Sequence, residues 1–346
     1  MTAGVLENTG QVTAGRRLDW VDAAKGMSIL LVVAHHAIWF LQRSGQAPAA
    51  IVAANEALAS LRMPLFFLAS GLFAAGPLAA SWRVVLHKRV AFFLYLFAIW
   101  TVIRFTFFAT VVPPVVDPDD SANPVEFALA LFLPGPSMWF LYALALFAVL
   151  AKLMRPLPVW LQLGASGLLS ALVGAGALEL DGSRWTYMAR LLFFFLVGLH
   201  ARTPVERLAG LTSVLRVALA VAGCVGAAGV AVVFGLRTVP GVALALQCIA
   251  VATGVLFAAW IARLRFGRPL VHLGRRTLPI YLIHMLWLAL IMIGVRHLEL
   301  PTAAAYALPF VMVPVLTALA LLTHRLLVAA GARWLFELPP RLAYRR

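Results

Sequence analysis

Ten long apolar runs, separated by short polar segments, dominate the chain. They lie near 24–42, 57–79, 89–112, 137–154, 158–178, 185–201, 212–235, 240–262, 276–296 and 302–328. A run of about 20 apolar residues is long enough to cross a bilayer as a helix. None of the runs shows the period-two alternation of a barrel strand, and an isolated strand cannot satisfy its backbone in lipid. The pattern therefore predicts an all-α polytopic membrane protein with about ten transmembrane helices.

The composition supports one membrane domain between two short tails. The chain has 346 residues, of which 63% are hydrophobic and only 12% are charged, whereas soluble domains carry about 25% charged residues. We expect a transmembrane domain over residues 21–330, with an N-terminal tail at 1–20 and a basic tail at 331–346. Cys224 and Cys248 lie inside apolar runs, which favours packing over disulfide or metal chemistry.

The basic residues are unevenly distributed over the loops. If the N-terminus is cytoplasmic, 21 of the 28 fall on the cytoplasmic side, four fall outside, and three lie within apolar runs. This asymmetry follows the positive-inside rule and predicts that both termini are cytoplasmic, in a multi-pass protein of the cell (inner) membrane. The net charge of +15 therefore needs no nucleic-acid partner to explain it.

The first apolar run carries most of the candidate chemistry. It begins with Asp22 and Lys25 and contains the adjacent His35 and His36. Lys25 and His36 are eleven positions apart, about three helical turns and about 16 Å, so both lie on one stripe. A titratable residue at membrane depth is a functional candidate. His36 is the leading catalytic candidate, and His35 and His284, in TLPIYLIHML, are two more; structural hydrogen bonding is the alternative for each.

Three arginines lie within the outer parts of predicted spans. Arg62, Arg104 and Arg190 stay charged, so each must face water, a partner or a ligand. Together they predict an outward-facing pocket for a hydroxylated or anionic acceptor, with snorkelling or pairing to outer acids as the alternative. Trp139, in PGPSMWFLYAL, is a candidate sugar contact or simply part of an aromatic belt.

Two loops stand out by length or charge. The outer segment from Pro113 to Pro136 contains an apolar stretch, Val125 to Leu133, that is too short to span; it predicts an interfacial or re-entrant helix, or else a surface loop. The segment RLRFGRPLVHLGRR, residues 263–276, is the densest basic cluster. Topology alone would explain that cluster, and a phosphate site would use the same residues.

Four segments together resemble acyltransferase family 3, and within it the branch of fucose-type O-acetylases. They are LDWVDAAKGMSILLVVAHHA, with its basic-x10-His pattern at Lys25 and His36, RMPLFFLASG, SMWFLYALALF and GRRTLPIYLIHML. Arg62 stands where the family often has histidine. HKRVAFF replaces a frequent RxxR pair, which leaves Lys88 and Arg89 at that place.

The resemblance implies an enzyme that moves an acyl group, by default acetyl, from cytoplasmic acyl-CoA to a hydroxyl of an extracytoplasmic glycan or glycolipid. No metal is implied. His36 would act as a base or a transient acyl carrier, and Asp22 would orient Lys25 or the inner gate. A homo-oligomer or a separate extracytoplasmic partner protein is also compatible. The residues expected to hold the CoA phosphates are Lys25, Lys88, Arg89, Arg275 and Arg276.

Two other classes of protein fit the spans. One is a transporter or flippase for a glycan or small metabolite. All thirteen acidic residues lie at or outside span ends, whereas ion-coupled transporters commonly use a buried carboxylate. The other is a structural subunit of an envelope complex, which leaves the intramembrane histidines and arginines without a reason.

Overall fold

A computed structural model describes residues 18–116, 122–130, 132, 138–180 and 183–339, and this part of the chain is helical without any strand. The tail at 1–17, Asp117, Asp119, Asp120, Asp181 and residues 340–346 lie outside the described residues. The helices are α1 (Asp19–Arg43), α2 (Ala49–Ala57), α3 (Ala59–Leu72), α4 (Ala75–Ala79), α5 (Trp82–Val85), α6 (Phe92–Val111), α7 (Pro124–Leu129), α8 (Trp139–Met154), α9 (Val159–Gly174), α10 (Ser183–His200), α11 (Arg202–Gly210), α12 (Val214–Val233), α13 (Val242–Arg263), α14 (Arg268–Gly274), α15 (Thr277–Val295) and α16 (Thr302–Ala329).

The all-helical membrane architecture is confirmed, and the count of ten spans is not. Among the described residues, seven helical stretches are long and apolar enough to cross a membrane, or eight if α10 and α11, bent by 82°, form one span. The predicted runs at 137–154 and 158–178 are instead α8 and α9, of 16 residues each. At 1.5 Å per residue each is about 24 Å long, shorter than the roughly 30 Å hydrocarbon core.

Helix α1 lies at the centre of the bundle and packs against α2, α3, α13, α14, α15 and α16. Its approach to α14 is backbone to backbone, because glycine stands on both sides. A Cβ on Gly26 would overlap the carbonyl of Leu270, and a Cβ on Gly274 would overlap the carbonyl of Asp22. Small residues at such crossings allow membrane helices to approach closely. This contact fixes the Lys25 end of α1 against the basic segment at 263–276.

A second glycine contact joins α3 to α10. A Cβ on Gly71 would overlap the carbonyl of Phe195, and a Cβ on Gly198 would overlap that of Leu68. Gly71, in the segment RMPLFFLASG, therefore brings two helices into close contact. Pro64 lies inside α3 without ending it, and the break in this span falls at Leu58, between α2 and α3.

Among its described residues, the segment at 113–136 contains a 3₁₀ turn at Pro114–Val116 and a short α-helix, α7. Helix α7 begins with the Asn123 side chain accepting hydrogen bonds from the backbone nitrogens of Val125 and Glu126. The Phe127 ring stacks on Phe105 of α6, with centroids 4.4 Å apart. The helical part of this prediction is thus confirmed over Pro124–Leu129. The remainder, at 117–121, 131 and 133–137, lies outside the described residues.

Candidate functional site

The histidines of α1 and α15 meet in the middle of the bundle. Nε2 of His284 is 3.1 Å from Nδ1 of His36, and the ring centroids are 5.1 Å apart. The two residues are 248 positions apart in sequence, so only the packing of α1 against α15 brings them together. His284 is 1% exposed, whereas His36 is only partly buried. His284 is therefore the buried member of the pair, and His36 is the more exposed one.

The hydrogen bonds of His284 determine which nitrogen of His36 carries a proton. Nδ1 of His284 is 2.9 Å from the carbonyl oxygen of Ile280, and a carbonyl can only accept. Nδ1 of His284 must therefore be the donor, which leaves Nε2 of the neutral ring as an acceptor. Nε2 then accepts from Nδ1–H of His36. The lone pair of His36 is consequently on Nε2, and a general base needs such a lone pair to take a proton.

His35 belongs to a different chain of hydrogen bonds. Its Nδ1 is 3.1 Å from Nδ2 of Asn55 on α2. Asn55 in turn accepts two bonds from Nη1 of Arg62, at 2.9 Å on its side-chain Oδ1 and 3.1 Å on its backbone oxygen. Asn55 and Arg62 are 7% and 6% exposed. Arg62 thus serves to hold a buried amide, and no contact of the described residues shows it lining an open acceptor pocket.

A cavity of about 270 Å³ lies beside the Lys25 end of α1, and its lining residues include neither His36 nor His284. Most of its wall is apolar, with Phe66, Phe93, Phe140 and Leu144 among the lining residues. Lys25 and Arg89 are its two cationic side chains, and Tyr281 is its lining residue on the histidine side. The Tyr281 ring is 6.4 Å from the ring of His284. The cavity is therefore an apolar chamber with two cations in its wall, and its lining residue Tyr281 is a neighbour of His284.

Both cations of this cavity are held against Phe73. The Lys25 ammonium lies 5.5 Å from the centre of the Phe73 ring, and Nη2 of Arg89 donates to the Phe73 carbonyl at 3.2 Å. Arg89 and Lys88 are carried by a π-helical segment, Leu86–Ala91, between α5 and α6; such segments are frequent at functional sites. Lys88 is exposed and does not line the cavity.

Arg275 faces another cavity, of about 590 Å³, whose basic lining also includes Arg263, Arg265 and Arg268. It donates to Asp22 at 2.9 Å and to Asp19 at 2.8 Å. The hydrogen bond to Asp22, together with the negative charge of both carboxylates, raises the pKa of Arg275. Asp22 is therefore bonded to Arg275, and its predicted role in orienting Lys25 or the inner gate stays a prediction.

The remaining predicted residues are placed separately. Arg276 is the residue before α15 and lines neither cavity. Arg104 packs over the Phe108 ring at 4.6 Å and, with Arg62, lies within electrostatic range of His36. Arg190 lies beside α9, with Nε 3.9 Å from the place of a Cβ on Gly174. The common outer pocket of the three arginines stays a prediction.

Trp139 begins α8 and lies in an aromatic cluster. Its ring meets Tyr187 edge-on at 5.2 Å and Phe67 at 6.1 Å, which agrees with a packing role; a sugar contact stays a prediction.

The sequence did not lead to Asn55 and Tyr281 as site residues. Asn55 carried a usable signal, because a buried amide in an apolar span needs a partner. Tyr281 lies in the segment GRRTLPIYLIHML, but nothing in its spacing marked it as part of a cavity wall.

A family model described as an acyltransferase domain matches residues 18–324. No curated protein and no solved structure matches the chain. The matched range begins just before α1 and ends within α16, so it contains Lys25, both histidines of α1 and His284.

Proposed function

The chain belongs to acyltransferase family 3, whose model covers most of its length, and is a membrane acyltransferase; we propose that it transfers an acetyl group from cytoplasmic acetyl-CoA to a hydroxyl of an extracytoplasmic glycan or glycolipid. The carrying observation is the His36–His284 pair beside an apolar cavity that is lined by Lys25, Arg89 and Tyr281, with the Tyr281 ring 6.4 Å from that of His284. An acceptor hydroxyl and a thioester must meet at a base, and in this proposal the acyl end of a donor held in the cavity reaches His36.

The cavity matches the chemistry of an acyl-CoA donor. Lys25 and Arg89 supply cations for phosphate oxygens, which form charge-assisted hydrogen bonds. The apolar wall suits the pantetheine arm and the acetyl group, because burying apolar surface contributes favourably to binding. We therefore propose Lys25 and Arg89 as the first contacts of the acyl-CoA donor. Arg275, already bonded to two carboxylates, would hold α14 against α1.

His36 acts in this proposal as a general base and then as a general acid. Its Nε2 takes the proton of the acceptor hydroxyl while the hydroxyl oxygen attacks the thioester carbonyl. The C–O bond forms, the C–S bond breaks, and the proton on Nε2 passes to the departing CoA thiolate. General acid–base catalysis contributes about 10²- to 10⁴-fold to a rate. The role of transient acyl carrier would use the same nitrogen.

His284 has an orienting role in this step. By accepting from Nδ1–H of His36, it keeps the lone pair on Nε2 and supports the imidazolium that forms when Nε2 takes a proton. The Ile280 carbonyl fixes the His284 ring in turn. This arrangement uses a neutral imidazole where serine hydrolases use a carboxylate.

The function is tested by mass spectrometry of envelope glycans and glycolipids from cells with and without the protein. We expect species that lose the mass of one acetyl group when the protein is absent. Proteoliposomes containing the protein should also release CoA thiol from acetyl-CoA when an envelope glycan fraction is supplied. Unchanged masses together with no CoA release would overturn the proposal and favour a transporter or flippase.

A further inference from the structure

The two adjacent histidines of α1 are held by partners of opposite character. His36 is bonded through His284 to a backbone carbonyl, an acceptor. His35 is bonded through Asn55 to Arg62, a group that only donates. Because neutral imidazole has one donor and one acceptor nitrogen, the last group in each chain determines the tautomer of the histidine at its start.

The assignment of His35 begins at Arg62. A guanidinium has no acceptor, so the atom of the Asn55 side chain that it contacts at 2.9 Å must be the oxygen. The other end of the amide, the NH₂ group, then faces Nδ1 of His35 at 3.1 Å and donates to it. Nδ1 of His35 is consequently unprotonated, and its proton lies on Nε2.

The same reasoning gives His36 the reverse form, with its proton on Nδ1 and its lone pair on Nε2. The rings are neighbours, with centroids 5.1 Å apart. His35 also stacks on Trp39, with an interplanar angle of 9° and centroids 6.4 Å apart, which restricts rotation of its ring. Two neighbouring imidazoles thus offer one acceptor and one donor from their Nε2 atoms.

We propose that His35 is a hydrogen-bond donor in the transfer step, fixed in its Nε2–H form by Asn55 and Arg62 as positioning residues. Its Nε2–H donates to the thioester carbonyl oxygen as that oxygen gains negative charge during attack by the acceptor hydroxyl. His36 meanwhile holds the proton from the hydroxyl, and both protons are accounted for when the C–S bond breaks and the thiolate leaves. This inference rests on the proposed acyl transfer for its chemistry, while the tautomer assignment does not.

The assignment alone is tested by ¹⁵N NMR of the native protein in nanodiscs, labelled at histidine, with His35→Gln and His36→Gln samples to identify the signals. We expect an unprotonated Nδ1 and a protonated Nε2 for His35, and the reverse for His36. A His35 ring protonated at Nδ1 overturns the proposal. This measurement needs no acceptor and no activity, so it separates failure of the tautomer from failure of the proposed function.

The catalytic role is tested with Asn55→Asp, which is nearly isosteric and can still accept from Arg62. A carboxylate accepts where the amide donated, so His35 should move its proton to Nδ1 and lose its Nε2 donor. Loss of one such donor costs about 10²- to 10³-fold in rate. We expect that loss in CoA release at saturating acetyl-CoA, with the KM for acetyl-CoA unchanged within about twofold. A wild-type rate with a reversed His35 tautomer overturns the donor role.

A double variant separates this role from a structural one. The amide of His35→Gln can donate near the Nε2 position and has no tautomer to lose, so this variant should retain much more activity than His35→Leu. Adding Asn55→Asp to His35→Gln should then cost less than about threefold, because coupled residues are non-additive. An equal loss in both backgrounds would show that Asn55 is merely structural and overturn its positioning role.

Discussion

His35 and His36 are consecutive residues on one helix, yet their surroundings differ completely. His36 meets another histidine that is anchored to the Ile280 carbonyl, whereas His35 meets an amide that is anchored to Arg62. The first chain leaves a lone pair and the second leaves an N–H. The last group in each chain of hydrogen bonds therefore determines whether Nε2 of the histidine can accept or donate, although that group does not touch the imidazole itself.

Among the residues that support the two histidines, His284→Leu should cause the largest loss of activity. The substitution removes the acceptor of His36 Nδ1–H, so the ring can adopt the other tautomer and lose its Nε2 base. An incorrect tautomer in a catalytic triad lowers kcat about 10⁴-fold, and we expect a loss of about 10³-fold or more here. CoA release at saturating acetyl-CoA measures it.

The matched control for this variant is His284→Gln, whose side-chain oxygen can still accept from His36. It should retain at least about tenfold more activity than His284→Leu. Equal activities of the two variants would contradict the orienting role of His284.

In the hydrogen-bond chain of His35, Arg62→Met should lower activity less than His284→Leu does. Without the guanidinium, the Asn55 amide can turn over and present its oxygen to His35, which mixes the two tautomers and does not abolish either. We expect CoA release to fall about 10- to 100-fold, while ¹⁵N NMR shows protonation at both His35 nitrogens. A single unchanged His35 tautomer would contradict the role given to Arg62.

The smallest effect is expected for Lys25, which lies away from both histidines at the end of α1 where acetyl-CoA is proposed to bind. Lys25→Gln removes one charge-assisted contact with phosphate, worth about 1.5–3 kcal/mol, so the KM for acetyl-CoA should rise by about tenfold or more. The value of kcat should stay within about threefold, since the histidines are untouched. Arg216→Gln, at the exposed start of α12, is the control and should change neither. A lower kcat with an unchanged KM would place Lys25 in the chemistry.

The helices and the candidate histidines could be predicted from the sequence. Helices occur in all ten predicted runs, because apolar length and the need to satisfy the backbone in lipid are local properties. The spanning length predicted for the runs at 137–154 and 158–178 is not confirmed, because α8 and α9 have 16 residues each between their caps at Met138 and Arg155 and at Pro158 and Ala175.

Contacts between distant segments were beyond the sequence. Lys25 and His36 share a helix, so their common stripe could be derived from spacing. His284 could be named as a catalytic candidate but not as the partner of His36. Its partner at 3.1 Å depends on how α15 packs against α1. The pairing of Arg275 with Asp22 likewise depends on the glycine contact between α14 and α1, which no periodicity reveals.

The central claim is that His36 is the base of an acyl transfer, and the most direct measurement compares wild-type protein with His36→Gln in proteoliposomes. CoA release is followed with saturating acetyl-CoA and an envelope glycan fraction, after thermal unfolding has shown that both proteins are equally folded. The account predicts a fall in kcat of about 10³-fold or more, with the KM for acetyl-CoA within about twofold of wild type. A His36→Gln protein that transfers at the wild-type rate would contradict it.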